Sequence, residues 1–230
     1  VVIRILNRNA ANVKLEQLGI GGSDRERLAR ILDHTFGILL VTGPTGSGKS
    51  TTLYAVINKR LEANPHVITV EDPVEYRMDN VEQIQIKPQI GYTFAVALRH
   101  ILRHDPDVIL IGEIRDFETA EIAVKAALTG HLVMSTLHTN DAASAITRLQ
   151  DMGLEPYLIS SSVVGIMAQR LARRICPQCK QVDTGNQDLR AWFHVREDEV
   201  FYCGAGCGNC NGTGYRGRAM VGELIEVTPA

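Results

Sequence analysis

Short apolar runs alternating with helix-length amphipathic stretches predict an α/β fold, with helices on both faces of a parallel sheet. Four runs, Ile38 to Thr42, Val67 to Val70, Val108 to Ile111 and Leu132 to Ser135, are dominated by Val, Ile and Leu, as in strands covered on both faces. Helical stretches lie between them: Ser50 to Leu61, Thr93 to Arg103, and Thr119 to Thr129 with Gly130 as its stop. A glycine-rich loop, Gly43 to Ser50, joins the first run to the helix that follows it.

Ahead of the first strand, Ser23-Asp24-Arg25-Glu26 is a capping box, and Leu28, Ile31, Leu32 and Phe36 follow at helical spacing until Gly37. Val1 to Leu6 alternates like a strand, which suggests a chain that starts inside a larger protein. After Asn140 the pattern turns mostly helical, through Ala142 to Met152 and Pro156 to Arg173. No internal repeat or low-complexity tract is present.

With 45% apolar and 22% charged residues, 230 residues suffice for one packed domain and a small appendage. A net charge of -2 gives no global basic surplus, so nucleic acid is not the default partner. The longest apolar stretches, Gly37 to Val41 and Val108 to Gly112, are far short of the roughly 20 residues that span a bilayer. With no secretory signal in the sequence, a cytosolic chain is expected.

The loop Gly43-Pro44-Thr45-Gly46-Ser47-Gly48-Lys49-Ser50, followed by Thr51, fits the Walker A pattern. Its glycines allow successive backbone N–H groups to point inward around phosphates. Lys49 brings a compact cation to the β and γ phosphates, and Ser50 offers a hydroxyl to Mg²⁺ at a helix N-terminus. The bland alternative, a glycine-rich turn without ligand, is disfavoured by the flanking strand and helix. Asp105 to Glu113 resembles a Walker B strand, but Gly112 stands where most P-loop enzymes carry a magnesium-holding Asp. Glu113 then polarises the attacking water or holds the metal through water; otherwise it is a solvated strand-end carboxylate. Glu71, Asp72 and Glu75 form a second acidic cluster at the end of the second strand, where α/β sheets bind ligands.

The segments ITVEDPVEY (68 to 76), LRHILRHDPDVILIGEIRD (98 to 116) and TGHLVMSTLHTND (129 to 141), after GPTGSGKSTT, resemble the secretion ATPases of type II secretion and type IV pilus assembly. They are similar to that family's Asp box, Walker B and His box, and the similarity covers nearly the whole chain. The resemblance implies a RecA-like ATPase domain binding ATP and Mg²⁺, working as a homohexamer at the cytoplasmic face of the inner membrane beside platform and linker proteins. It assigns Glu71, Asp72 and Glu75 to the Asp box, Glu113 to the catalytic Walker B position, and His131 and His138 to the His box. His138 is chemically suited to sense a γ-phosphate; His131 also reads as a capping or packing histidine. Arg99, Arg103 and Arg115 lie near the Walker B carboxylates, where they either stabilise transition-state charge or pair at the surface. Most of the family's preceding domain and its C-terminal helices are missing from this sequence.

Five cysteines fall in the last quarter. Cys176-Pro-Gln-Cys179 and Cys207-Gly-Asn-Cys210 are two C-x2-C hooks suited to tetrahedral Zn²⁺ in a closed structural site. A redox dithiol is the rival for either hook alone, and Cys203 reads as a free thiol or a competitor of Cys207. Between the hooks, Lys180, Arg190 and Arg196 face Asp183, Asp188, Glu197, Asp198 and Glu199, a balance against phosphate-backbone binding. In the resembled family this module marks the assembly and secretion branch. Arg170, Arg173 and Arg174 read as a helix end, solvated or facing a partner. The division expected is 1–20 as the end of a preceding domain and linker, 21–173 as the core, 174–218 as the tetracysteine zinc module, and 219–230 as a truncated return to the core. The rivals are a nucleic-acid motor and a nucleotide-gated scaffold without turnover.

Overall fold

A computed structural model describes residues 13–183, 185, 190, 192, 193, 196 and 199–228. The alternating N-terminal segment, the last two residues and the acids Asp188, Glu197 and Asp198 lie outside the described residues. In chain order the elements are α1 (Gly22–Asp33), β1 (Gly37–Thr42), α2 (Lys49–Leu61), β2 (Val67–Glu71), β3 (Glu82–Gln85), α3 (Phe94–Ile101), β4 (Val108–Ile111), α4 (Phe117–Leu128), β5 (Leu132–Leu137), α5 (Ala143–Asp151), α6 (Pro156–Ser162), β6 (Val163–Ile175), β7 (Lys180–Val182), β8 (Tyr202–Gly204) and β9 (Tyr215–Glu226).

Seven strands form one sheet in the order β3-β2-β4-β5-β1-β6-β9, and β7 with β8 make a separate antiparallel pair. From β3 across to β6 every pairing is parallel. The loops after β1, β2, β4 and β5 therefore leave by one edge, the carboxyl edge at which such sheets hold ligands. Beyond β6, the Val227 N–H donates to the Val164 carbonyl at 3.0 Å while Gly222 lies against the Ala168 carbonyl, so β9 runs antiparallel to β6.

All residues of β1, β2, β4 and β5 are buried, as their composition demands. Alternate side chains feed two cores. Ile38, Leu40, Ile109 and Val133 pack with α3, α4 and α6 on one face. Leu39, Val41 and Leu110 pack with Leu28 and Ile31 of α1 and Leu53 and Ile57 of α2 on the other. Each such fully buried side chain stabilises the fold by about 1.5–3 kcal/mol relative to its exposed state.

Helices α3 and α4 begin where short polar side chains satisfy free N–H groups. The Thr93 side chain accepts from the Val96 N–H before α3, and that of Asp116 accepts from the Thr119 N–H before α4. At α1 the expected cap differs. The helix starts at Gly22 behind Gly21 with no side-chain cap, leaving Ser23 inside the first turn. It ends at Asp33, so Gly37 is not its stop but the first residue of β1.

The sequence predicts helix through Arg173, yet α6 stops at Ser162 and the chain continues as a 13-residue strand. The hydroxyls of Ser160, Ser161 and Ser162 donate back to the Tyr157 and Leu158 carbonyls, which competes with helix continuation. Val163 and Val164 are β-branched, and the free edge of β1 pairs with the strand from Ile38↔Val163 to Thr42↔Ala168. Arg170, Arg173 and Arg174 are accordingly strand residues. The chain divides into two compact units, one running to Arg170 and resuming at Met220, the other Leu171–Ala219.

Candidate functional site

The phosphate loop leaves the buried end of β1 and enters α2 at Lys49. Gly43, Gly46 and Gly48 take φ of 143°, 79° and 91°, a region that favours glycine. Gly43 is further constrained by space: a Cβ there would stand 2.3 Å from the Gln169 carbonyl and 2.7 Å from Ser47 Oγ. Pro44, Thr45, Gly46 and Ser50 are exposed, Ser47 is buried, and Gly48 and Thr51 are half-buried. Lys49 Nζ donates to the carbonyls of Gly43 at 2.8 Å and Pro44 at 3.1 Å, folding its ammonium over the loop. Burial holds the Lys49 pKa below its ordinary value, opposed by the charge of Glu113.

Glu113 lies just beyond β4 at the same edge. Its Oε1 is ion-paired with Arg115, and its Oε2 is 3.5 Å from His138 Nε2, at the end of β5. Arg115 is raised in pKa by its hydrogen bond to Glu113, against the opposing effect of burial and with further support from the charges of Glu113 and Asp72. One neighbourhood thus holds Glu113, Arg115 and His138, and feels the charges of Lys49 and Asp72. The loop carrying His138 is tied to the start of the phosphate loop by two threonines. The Thr139 N–H donates to Thr42 Oγ1 at 3.0 Å, and the two hydroxyls are 2.6 Å apart. Thr42 is fully buried, so this clamp fixes the ends of β1 and β5 together.

The other Asp-box and His-box residues are deployed differently. Glu71 ends β2 but is 5% exposed, and its carboxylate accepts from Tyr54 of α2, from Thr69 Oγ1 at 2.6 Å and from Gln83 Nε2 at 3.1 Å. It binds the phosphate-loop helix to the sheet. Burial, then the hydrogen bond to Glu71, raises the Tyr54 pKa. Asp72 is exposed at the sheet edge and precedes Pro73 through a cis bond; Glu75 is half-buried in the same turn. His131 is not brought to this edge. It precedes β5, about 23 Å from His138 at roughly 3.3 Å per residue, and its Nδ1 is 2.9 Å from the Ala126 carbonyl at the end of α4. Arg99 pairs with Glu118 on the exposed surfaces of α3 and α4.

In the unit Leu171–Ala219, the Sγ atoms of Cys176, Cys179, Cys207 and Cys210 all lie within 4.8 Å of one another. The Cys176–Cys207 separation is 3.9 Å, and those of Cys179–Cys210 and Cys207–Cys210 are 3.8 Å. A zinc–sulfur bond of about 2.3 Å gives a sulfur tetrahedron with edges of about 3.8 Å, whereas a disulfide needs about 2.05 Å. N–H groups of Cys207 and Gly214 pull the Cys210 thiol down to about 6, while burial pushes Cys179 up to about 12. A divalent cation would let all four ionise, so the donor set fits zinc. Cys203 stands apart on β8, its sulfur 3.7 Å from Gln181 Nε2. Arg173 lies 4.1 Å over the Tyr215 ring.

A glycine loop between a buried strand and a helix on a parallel sheet, faced by a carboxylate from the strand after next, defines the P-loop nucleotide-binding class. The chain belongs to the type II/IV secretion system protein family, whose profile matches residues 1–230. It is similar to the type II secretion system ATPase E of Vibrio cholerae serotype O1, at 50% identity over 232 residues, covering 100% of this chain and 46% of that protein. The type II secretion system protein HxcR of Pseudomonas aeruginosa is 51% identical over 227 residues, covering 99% of this chain and 45% of the relative. Among solved structures, the pilus retraction motor PilT with bound ADP aligns with TM-score 0.68 at 33% identity, over 95% of this chain and 54% of that one. The chain spans just under half the length of the curated relatives it matches.

Proposed function

We propose that the protein containing this chain hydrolyses ATP with Mg²⁺ and uses the energy to drive type II secretion or the assembly of a pilus or pseudopilus. The observation that carries the reading is the convergence of the phosphate loop with Glu113, Arg115 and His138 at one sheet edge. The printed names of the relatives favour secretion.

In this mechanism the inward N–H groups of the loop bind the phosphates, and Lys49 turns from the Gly43 and Pro44 carbonyls to the β and γ oxygens. Ser50 and Asp72 would supply hard oxygen donors that suit Mg²⁺, which would shield phosphate charge. Glu113 accepts the proton of the attacking water, with its second oxygen steadied by Arg115. His138, at the same edge, donates to the γ-phosphate as a sensor. Glu71 supports this centre through Tyr54, and Glu75 shapes the turn that carries Asp72. His131 acts at the end of α4, away from the nucleotide. Cys176, Cys179, Cys207 and Cys210 hold a structural zinc. The working form is a homohexamer, peripheral at the cytoplasmic face of the inner membrane, engaging platform and linker proteins; nucleic acid has no part in it.

Phosphate release by the full-length protein tests the reading. Glu113→Gln is expected to lower kcat about 10²- to 10⁴-fold, and Lys49→Ala to abolish turnover. A wild-type hexamer without turnover would instead establish a nucleotide-gated scaffold. Stimulation by single-stranded DNA would favour a nucleic-acid motor.

A further inference from the structure

Gln169 lies on β6, next to the stretch that pairs with β1, and is 2% exposed. Its Nε2 donates to the Ser47 carbonyl at 2.8 Å, 122 residues away in sequence. Its backbone carbonyl presses on Gly43, 2.3 Å from where a Cβ would stand. Gln169 therefore holds the phosphate loop at its first residue and at its middle. Two buried atoms here, Gln169 Oε1 and Ser47 Oγ, have no hydrogen-bond partner. Such orphans are uncommon in protein interiors and call for an explanation.

For the partnered Ser47 carbonyl, peptide geometry has a consequence. In a trans peptide the carbonyl of Ser47 and the N–H of Gly48 point in opposite directions across one plane. Pinning that carbonyl against Gln169 turns the Gly48 N–H away from the β6 side chain. We propose that Gln169 is a positioning residue for the phosphate loop: it holds the loop open in its anion-binding shape and so sets nucleotide affinity, while Glu113 and its partners set turnover. This inference rests on reading the loop as the ATP site.

The test uses the full-length protein with Mg-ADP as probe and calorimetric titration as readout. Gln169→Met keeps the volume and removes the donor. Its affinity is expected to fall about three- to tenfold, the worth of one net hydrogen bond, with kcat at saturating ATP little changed and the melting temperature lowered by only a few degrees. Gln169→Glu gives a second reading. Its carboxylate repels the Ser47 carbonyl when ionised and donates to it when protonated, and burial raises its pKa. The ratio of its Kd to that of wild type should therefore narrow between about pH 8 and about pH 6. A Met variant that binds as tightly as wild type, or one that loses kcat with affinity intact, overturns the proposal. A pH-independent Glu ratio does the same even where the Met variant fails to fold. Wild-type protein that does not bind Mg-ADP overturns the ATP reading itself.

Discussion

Glu71 and Asp72 are adjacent in sequence and opposite in circumstance. The Glu71 carboxylate is buried under three donors, whereas Asp72 is exposed at the edge shared with the phosphate loop. Glu71→Ala would strand those donors and is expected to cost roughly 2–4 kcal/mol of stability, read from the urea midpoint. Asp72→Asn should leave that midpoint in place and lower ATP turnover. Tyr54 adds a pH signature. Its folded pKa is raised, so its stabilising contribution is fully present below the unfolded value, about 10, and is lost as pH rises toward the folded value. Wild type should therefore lose stability above about pH 10 more steeply than Tyr54→Phe, by urea unfolding at several pH values. The sequence alone offers no sign of this division, since an acidic run reads the same whichever member faces a core tyrosine.

At the scale of elements, the parallel core was legible because burial on both faces leaves an unbroken apolar run, and the Walker A loop because its glycines answer a backbone demand. Of the strands that escaped, two did so for opposite reasons. Glu82–Gln85 is a half-exposed edge strand of polar residues with no apolar run to betray it. Val163–Ile175 follows directly on a helix, and only the open edge of β1 makes it a strand. That pairing brings Gly165 against α1, where a Cβ would stand 2.7 Å from Ile31 Cδ1. Gly165→Val is expected to overpack this contact and destabilise the chain by about 1–3 kcal/mol in chemical denaturation. Thr42→Val should leave the Thr139 N–H without its acceptor, loosen the loop that bears His138 and lower kcat about tenfold, one hydrogen bond's worth of positioning. Neither threonine was singled out by its motif; the clamp forms because the parallel register sets Thr42 opposite Leu137.

Across the molecule, the tetracysteine unit obeys different physics from the sheet domain. Spacing alone revealed it, because four thiolates at two hooks announce a tetrahedron without any hydrophobic pattern. Elemental analysis should find one zinc per chain. Chelation should expose Cys176, Cys179, Cys207 and Cys210 to thiol reagents and abolish amide protection across Leu171–Ala219, while the amides of β1, β4 and β5 stay protected in hydrogen exchange. Protection lost equally in both regions would contradict two separable units. The antiparallel neighbours β6 and β9 carry the boundary between these units. The chain leaves the sheet along one strand and returns along the next, about 4.8 Å away, a gap that a tight turn can close. The metal-binding segment is thus an insertion between two neighbouring strands, and its removal would leave the register of β1 through β5 untouched.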